Sequence, residues 1–218
     1  MKPKYLLVLF DLDGTLTDSG PGIIASVRYA LEQMKKPIPP CDVLRQFIGP
    51  PLFDSFTKFC GMSERETEKA IDYFHRIYNS NGVYNNSVYP GIPEMLEDLR
   101  RAGSKLAIVT SKPRSMAKLV LKHFGLLKYF SYFSTADESD KGGGKETLIR
   151  PILETTGCKP SDAMMIGDTK FDAAGARKAG TSFLGVLYGF GKEDEMRREG
   201  GRVFVTSPAE IADALAAS

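Results

Sequence analysis

The chain has 218 residues, with 29 basic and 27 acidic side chains and a formal charge of +2. That length fits one large domain or a domain with a smaller insert, and the near-neutral balance argues against nucleic acid as a main partner. The N-terminal apolar run, Tyr5 to Phe10, is too short for a membrane span or signal segment, and Cys41, Cys60 and Cys158 match no metal or redox spacing, so a cytoplasmic setting with free thiols is expected.

Tyr5 to Phe10 reads as a strand buried on both faces. It runs into Asp11-Leu12-Asp13-Gly14-Thr15, a poor place for two carboxylates if stability alone were at stake. Strand alternation puts Asp11 and Asp13 on one side, where they repel unless a cation or a proton lies between them. A hard cation such as Mg²⁺ with an anionic substrate would relieve that repulsion. A helix is predicted from Pro21 toward Lys36, stopped by Pro37, Pro39 and Pro40. No strand is convincing from Val43 to Asn81, and Ser63-Glu64-Arg65-Glu66 is a capping box opening a helix with Ala70, Ile71, Phe74, Ile77 and Tyr78 at apolar positions.

Residues 17–85 therefore read as a helical insert, with 1–16 and 86–218 forming the main domain. There, helices are predicted over 93–102, 113–124, 145–156 and 171–179, and a terminal one from Pro208. Strands are predicted over 105–110, 129–133, 163–166, 182–187 and 203–205. Strand–helix alternation of this kind predicts an α/β fold, a parallel sheet covered by helices on both faces.

Further strand ends repeat the pattern of the first. One ends in Thr110-Ser111, and another in Gly167-Asp168 with Asp172 four residues on, while Lys145 follows the triple glycine Gly142-Gly143-Gly144. Each is, taken alone, as readily a turn, a helix cap or a surface lysine. Together they gather hydroxyls, acids and a cation at the sheet edge where open parallel sheets bind ligands.

These residues carry a resemblance to the haloacid dehalogenase superfamily of phosphohydrolases: DLDGTLTDS at 11–19, Thr110 in VTSK, Lys145, and GDTKFD at 167–172. IGPPL at 48–52, YPGI at 89–92, TSKP at 110–113 and VLYGFG at 186–191 are most similar to its phosphoglycolate phosphatase-like group. The resemblance spans essentially the whole chain and implies a Rossmann-like core with a small α-helical cap over 17–85. It implies Mg²⁺-dependent hydrolysis of a small phosphate monoester through an aspartyl-phosphate. Asp11 would be the nucleophile and Asp13 the group that gives a proton to the leaving alkoxide and takes one from water. Mg²⁺ would be held by Asp11, Asp168 and the backbone carbonyl of Asp13. Thr110 and Lys145 would hold phosphoryl oxygens, with amides near Gly14 and Ser111, and Asp172 would orient Lys145 or metal-bound water from behind. Lys141 is the other candidate lysine, but Lys145 fits the helix start better. The rigid turn at Phe47-Ile48-Gly49-Pro50-Pro51 places Gly49 and Pro50 as substrate contacts. Arg45, Lys58, His75 and Arg76 read as solvated surface residues, and Phe47, Phe53, Phe56 and Phe59 as core of the insert. The implied partner is a small phosphate ester, such as phosphoglycolate, a nucleotide or a sugar phosphate, with no nucleic acid or membrane, and a monomer or weak homodimer is expected. A β-phosphoglucomutase-like phosphotransferase is the nearest alternative, and a pyrophosphatase is a more distant one.

Overall fold

A computed structural model describes residues 3–136 and 144–217. Strand β1 (Leu7–Phe10) is followed by the two-residue β2 (Thr17–Asp18) and four helices, α1 (Gly20–Gln33), α2 (Cys41–Arg45), α3 (Leu52–Cys60) and α4 (Glu64–Ser80). The chain returns through β3 (Ser87–Val88) to α5 (Ile92–Arg101), β4 (Lys105–Thr110), α6 (Arg114–His123), β5 (Tyr132–Thr135) and α7 (Lys145–Thr156). It closes with β6 (Ala163–Gly167), α8 (Lys170–Ala179), β7 (Ser182–Val186), α9 (Glu193–Arg198), β8 (Val203–Val205) and α10 (Ala209–Ala217).

Six strands form a sheet in the order β5-β4-β1-β6-β7-β8, every neighbouring pair parallel. β1 lies between β4 and β6, with Phe10 level with Ile108 on one side and Ile166 on the other. The strand order therefore reverses beside β1, and a crevice opens at the carboxyl ends of β1, β4 and β6. Alternation sends Val8, Phe10, Ile108 and Ile166 to one face, where they meet α5, α6 and α10. Leu7, Leu9, Ala107 and Met165 go to the other face, against Ile149, Ile152 and Leu153 of α7 and Ala176 of α8. Both faces are covered, which is why β1 and β6 are apolar without a break.

The segment between β2 and β3 is helical as expected, and the capping box opening α4 is present, with Ser63 N–H donating to Glu66 Oε2 at 3.0 Å. Its apolar side, including Leu44, Phe47, Phe56 and Tyr78, is continuous with the core on one face of the sheet. The two chain crossings that join it to the rest are paired as an antiparallel ribbon, Thr17 opposite Val88 and Asp18 opposite Ser87. Two-residue strands carry no alternation from which to read them. β5 starts at Tyr132 rather than Tyr129, because Leu127–Tyr129 forms a 3₁₀ turn first. The charged six-residue α9 lies where no element was expected, being too short to show an apolar period. No described helix is long and apolar enough to cross a membrane.

Candidate active site

Asp11 leaves the end of β1 with its N–H donating to the Ile166 carbonyl of β6 at 3.0 Å, so the central strands fix its backbone. Its buried carboxylate takes an ion pair from Lys145, Nζ to Oδ1 at 2.7 Å. Lys145 opens α7 and reaches Asp172 Oδ1 at the same distance. α7 comes this close to α8 because residue 175 is glycine: a Cβ there would lie 2.4 Å from the Lys145 Cβ. Asp172 is itself fixed, since its Oδ2 accepts from the N–H and O–H of Thr169 at 3.0 and 2.7 Å in a capping box that opens α8. Lys141 lies outside the described residues.

Asp13 takes a different partner. Its Oδ2 sits 2.8 Å from the Nζ of Lys112, on the loop after β4. The repulsion expected between Asp11 and Asp13 is thus met by a separate buried lysine for each. Burial alone would lower both ammonium pKa values. Asp11 and Asp172 around Lys145, and Asp13 and Tyr78 around Lys112, outweigh it and hold both above the ordinary lysine value. Thr110 Oγ1 accepts from the Lys112 N–H at 3.2 Å, leaving its own O–H to donate elsewhere. Asp11, Asp13, Thr110, Ser111, Gly49 and Pro50 line one cleft of ≈ 70 Å³ between the strand ends and the helical segment.

Gly14 departs from expectation. Its N–H donates to the Thr17 carbonyl at 2.8 Å, so it is engaged in the turn rather than free for a phosphoryl oxygen. What Gly14 provides is room: it holds φ +86°, and a Cβ would lie 2.3 Å from Asp168 Oδ2. His75, read as a solvated residue, lines the cleft, as does Phe47, which also belongs to the core.

Asp168 follows β6 and is fully buried. It accepts from Thr15 Oγ1 at 3.2 Å and from the Phe190 N–H at 2.8 Å. Burial first, then repulsion from Asp172 and Asp11, pushes its pKa up to about 8. Asp11 is pushed up to about 6, mainly by burial and against the pull of Lys145. Asp11, Asp168 and Asp172 present oxygens within 4.8 Å of one another. Four carboxylates thus face two ammonium groups, an excess of two negative charges when all are ionised. An all-oxygen, doubly negative cluster fits a hard divalent cation. The Asp13 carboxylate is not part of that cluster; it is turned to Lys112.

Two residues of the site lay outside the candidates drawn from sequence. Lys112 stands in the TSKP segment, and its place two residues past the strand-end hydroxyl of Thr110 was the available signal. Tyr78 donates no such signal, because at helical spacing it is indistinguishable from a core aromatic. The Thr169–Asp172 capping box was readable from its spacing.

A family model of haloacid dehalogenase-like hydrolases matches residues 8–186. A 5'-nucleotidase of Pseudomonas aeruginosa is 39% identical over 194 residues, covering 89% of this chain and 88% of that protein. Tyrosine-protein kinase PtkA of Mycobacterium tuberculosis is 36% identical over 86% of this chain, which spans 64% of the kinase. A phosphoglycolate phosphatase of Vibrio parahaemolyticus is 29% identical over 96% of this chain and 92% of its own. The crystal structure of a predicted phosphatase from Clostridium acetobutylicum superposes with a TM-score of 0.93 at 38% identity, covering 98% of this chain and 99% of that one. With the strand-end constellation in place and the match running through it, the chain belongs to the haloacid dehalogenase-like hydrolases and is a phosphatase.

Proposed function

We propose that the chain hydrolyses a small phosphate monoester in two steps through Asp11, with Mg²⁺ as cofactor. The observation that carries this reading is the Asp11–Lys145 pair at the end of β1, with Asp13 opening onto the same cleft. Direct attack by water on a phosphate monoester dianion is opposed by charge, and a positioned carboxylate splits the reaction into two easier displacements. The Asp11 carboxylate attacks phosphorus, the ester P–O bond breaks, and Asp13 gives its proton to the departing alkoxide. Asp13 then takes a proton from water as that water attacks phosphorus, releasing phosphate and restoring Asp11. Lys145 and the Thr110 hydroxyl hold phosphoryl oxygens while charge redistributes, joined by the amide near Ser111. Asp172 keeps Lys145 directed at Asp11. Mg²⁺ would be held by Asp11, Asp168 and the Asp13 carbonyl, where it neutralises charge on the transferring phosphoryl. The helical segment 17–85 acts as a cap, with Gly49 and Pro50 over the leaving group.

Release of inorganic phosphate from a panel of nucleoside monophosphates, phosphoglycolate, sugar phosphates and pyrophosphate, with Mg²⁺ and in excess EDTA, tests the reaction. Asp11→Asn keeps size and removes the nucleophile, so turnover should collapse in a protein that still folds. Activity within about tenfold of wild type, about 1.4 kcal/mol in barrier, would remove Asp11 from the mechanism. Full turnover in EDTA would remove the metal. A relative named as a kinase favours a second reading, transfer of the phosphoryl group to a hydroxyl acceptor such as a sugar or tyrosine. Phosphorylated acceptor appearing without free phosphate would support it.

A further inference from the structure

Lys112 and Tyr78 have no part in the chemistry above, yet they meet at its proton-handling group. Lys112 Nζ lies 2.8 Å from Asp13 Oδ2 and donates to Tyr78 Oη at 2.9 Å, with only 6% of its side chain exposed. Tyr78 comes from α4, fully buried and stacked on Phe74 with ring centroids 5.2 Å apart. Lys112 thus links the helical segment to the Asp13 carboxylate, and its backbone N–H donates to the Thr110 hydroxyl.

We propose that Lys112 and Tyr78 form a brace that holds the Asp13 side chain in its working orientation, so that helix α4 sets the position of the proton-transfer group. The proposal rests on the reading of Asp13 as the acid and base. A buried ion pair is weak evidence of stabilisation, because apolar residues of like volume serve a core as well. Here the pair lies on the wall of the cleft beside Asp11 rather than within the core. The two Asp13 oxygens are also unlike. Oδ2 is tied to Lys112, while Oδ1 is buried with no hydrogen-bond partner. A buried oxygen left unpartnered is costly and calls for a reason. The brace supplies one: it fixes Oδ2 so that Oδ1 faces the leaving oxygen first and the attacking water second. Tyr78 limits where the long lysine side chain can sit, which an aliphatic residue in α4 could not do. Both are positioning residues that act through Asp13.

Steady-state kinetics of Tyr78→Phe, Lys112→Met, Asp13→Asn and the Asp13→Asn/Lys112→Met double variant test this, with melting temperatures recorded for each. Misplacement of a reacting group by about an ångström costs on the order of a hundredfold in rate, so Lys112→Met should lower kcat by about that factor and Tyr78→Phe by about tenfold. KM should stay within about twofold, because neither group binds substrate. The double variant should be no slower than Asp13→Asn alone, as expected of residues that work through one another. Tyr78→Phe removes a single hydroxyl and keeps the stacked ring, so it decides the matter if Lys112→Met does not fold. Wild-type kcat in Tyr78→Phe, or a double variant slowed by the full factor seen for Lys112→Met alone, overturns the brace. Near wild-type turnover in Asp13→Asn would instead overturn the acid–base reading itself.

Discussion

Asp168 is buried, bonded to one hydroxyl and one amide, and faces Asp11 and Asp172, so burial and the repulsion between these carboxylates favour its protonated form. A carboxyl whose folded pKa is raised holds its proton in the folded state where the unfolded chain has released it. Its stabilising contribution is therefore complete below the ordinary value near ~4 and is lost as pH rises through the folded value. For Asp11 and Asp168 that window runs up to about 6 and about 8. In EDTA, the contribution of this pair should make the melting temperature fall between about pH 5 and about pH 8, and Mg²⁺ should restore more of it at the higher pH. A Mg²⁺-induced rise that is no larger at the higher pH would contradict the linkage. Gly14→Ala tests the same site sterically. The change forces a side chain into a left-handed conformation, of order 1–3 kcal/mol. It also places a methyl carbon against the Asp168 carboxylate. Loss of stability together with loss of the Mg²⁺-induced rise in melting temperature is expected, and an unchanged Mg²⁺ response would remove Gly14 from the cation's surroundings. Asp11 and Asp168 drew notice because they follow buried strands, and Lys145 because it follows a triple glycine at a helix start. Lys112 did not, since a lysine in a polar loop looks solvated until the Tyr78 helix is seen to cover it.

At the scale of elements, the position of α7 against α8 decides where Lys145 sits. The contact depends on Gly175, whose added Cβ would meet the Lys145 Cβ at 2.4 Å and the Glu146 amide nitrogen at 3.1 Å. In an isolated helix, alanine for glycine is favourable by about 1 kcal/mol. Here Gly175→Ala should instead part the two helices and draw Lys145 away from Asp11. Turnover should drop by at least about tenfold even where the melting temperature changes little; wild-type turnover would show that α7 has room to spare. The long elements were readable for a plain physical reason: α4 carries a capping box and a sustained apolar period, and β1 and β6 are unbroken apolar runs between turn residues. The ribbon of β2 and β3 has two residues per strand, and neither its pairing nor its partner is encoded in a pattern so short. Tyr78 was correctly placed on the buried face of α4, but periodicity gives a face and not the partner of a hydroxyl.

For the molecule as a whole, the question is how substrate reaches a cleft of ≈ 70 Å³. Sites for small molecules usually enclose about 300–1,000 Å³, so the helical segment leaves less room over the strand ends than such sites offer. Residues 17–85 join the rest of the chain at two crossings, and these are paired with each other: Thr17 with Val88, Asp18 with Ser87, and the Tyr89 N–H to the Leu16 carbonyl at 3.2 Å. Pairing makes the crossings move together, which favours rotation of the helical segment as a body over fraying of either strand. Thr17, Ser19 and Asn86, on or beside this ribbon, hold buried side-chain polar atoms without hydrogen-bond partners. Against movement stands the apolar core shared by the segment and the sheet, which opening would expose in part. The balance predicts an equilibrium between this closed form and a wider one, shifted toward closure by a ligand that bridges both parts. Small-angle scattering of the free protein should give a radius of gyration larger than the closed form requires. Addition of Mg²⁺ with a phosphoryl mimic such as fluoroberyllate should reduce it. Tyr78→Phe, which removes the hydroxyl that Lys112 reaches across the interface, should weaken that compaction. Identical scattering in the free and bound states would mean that the segment is fixed and that substrate enters by another route.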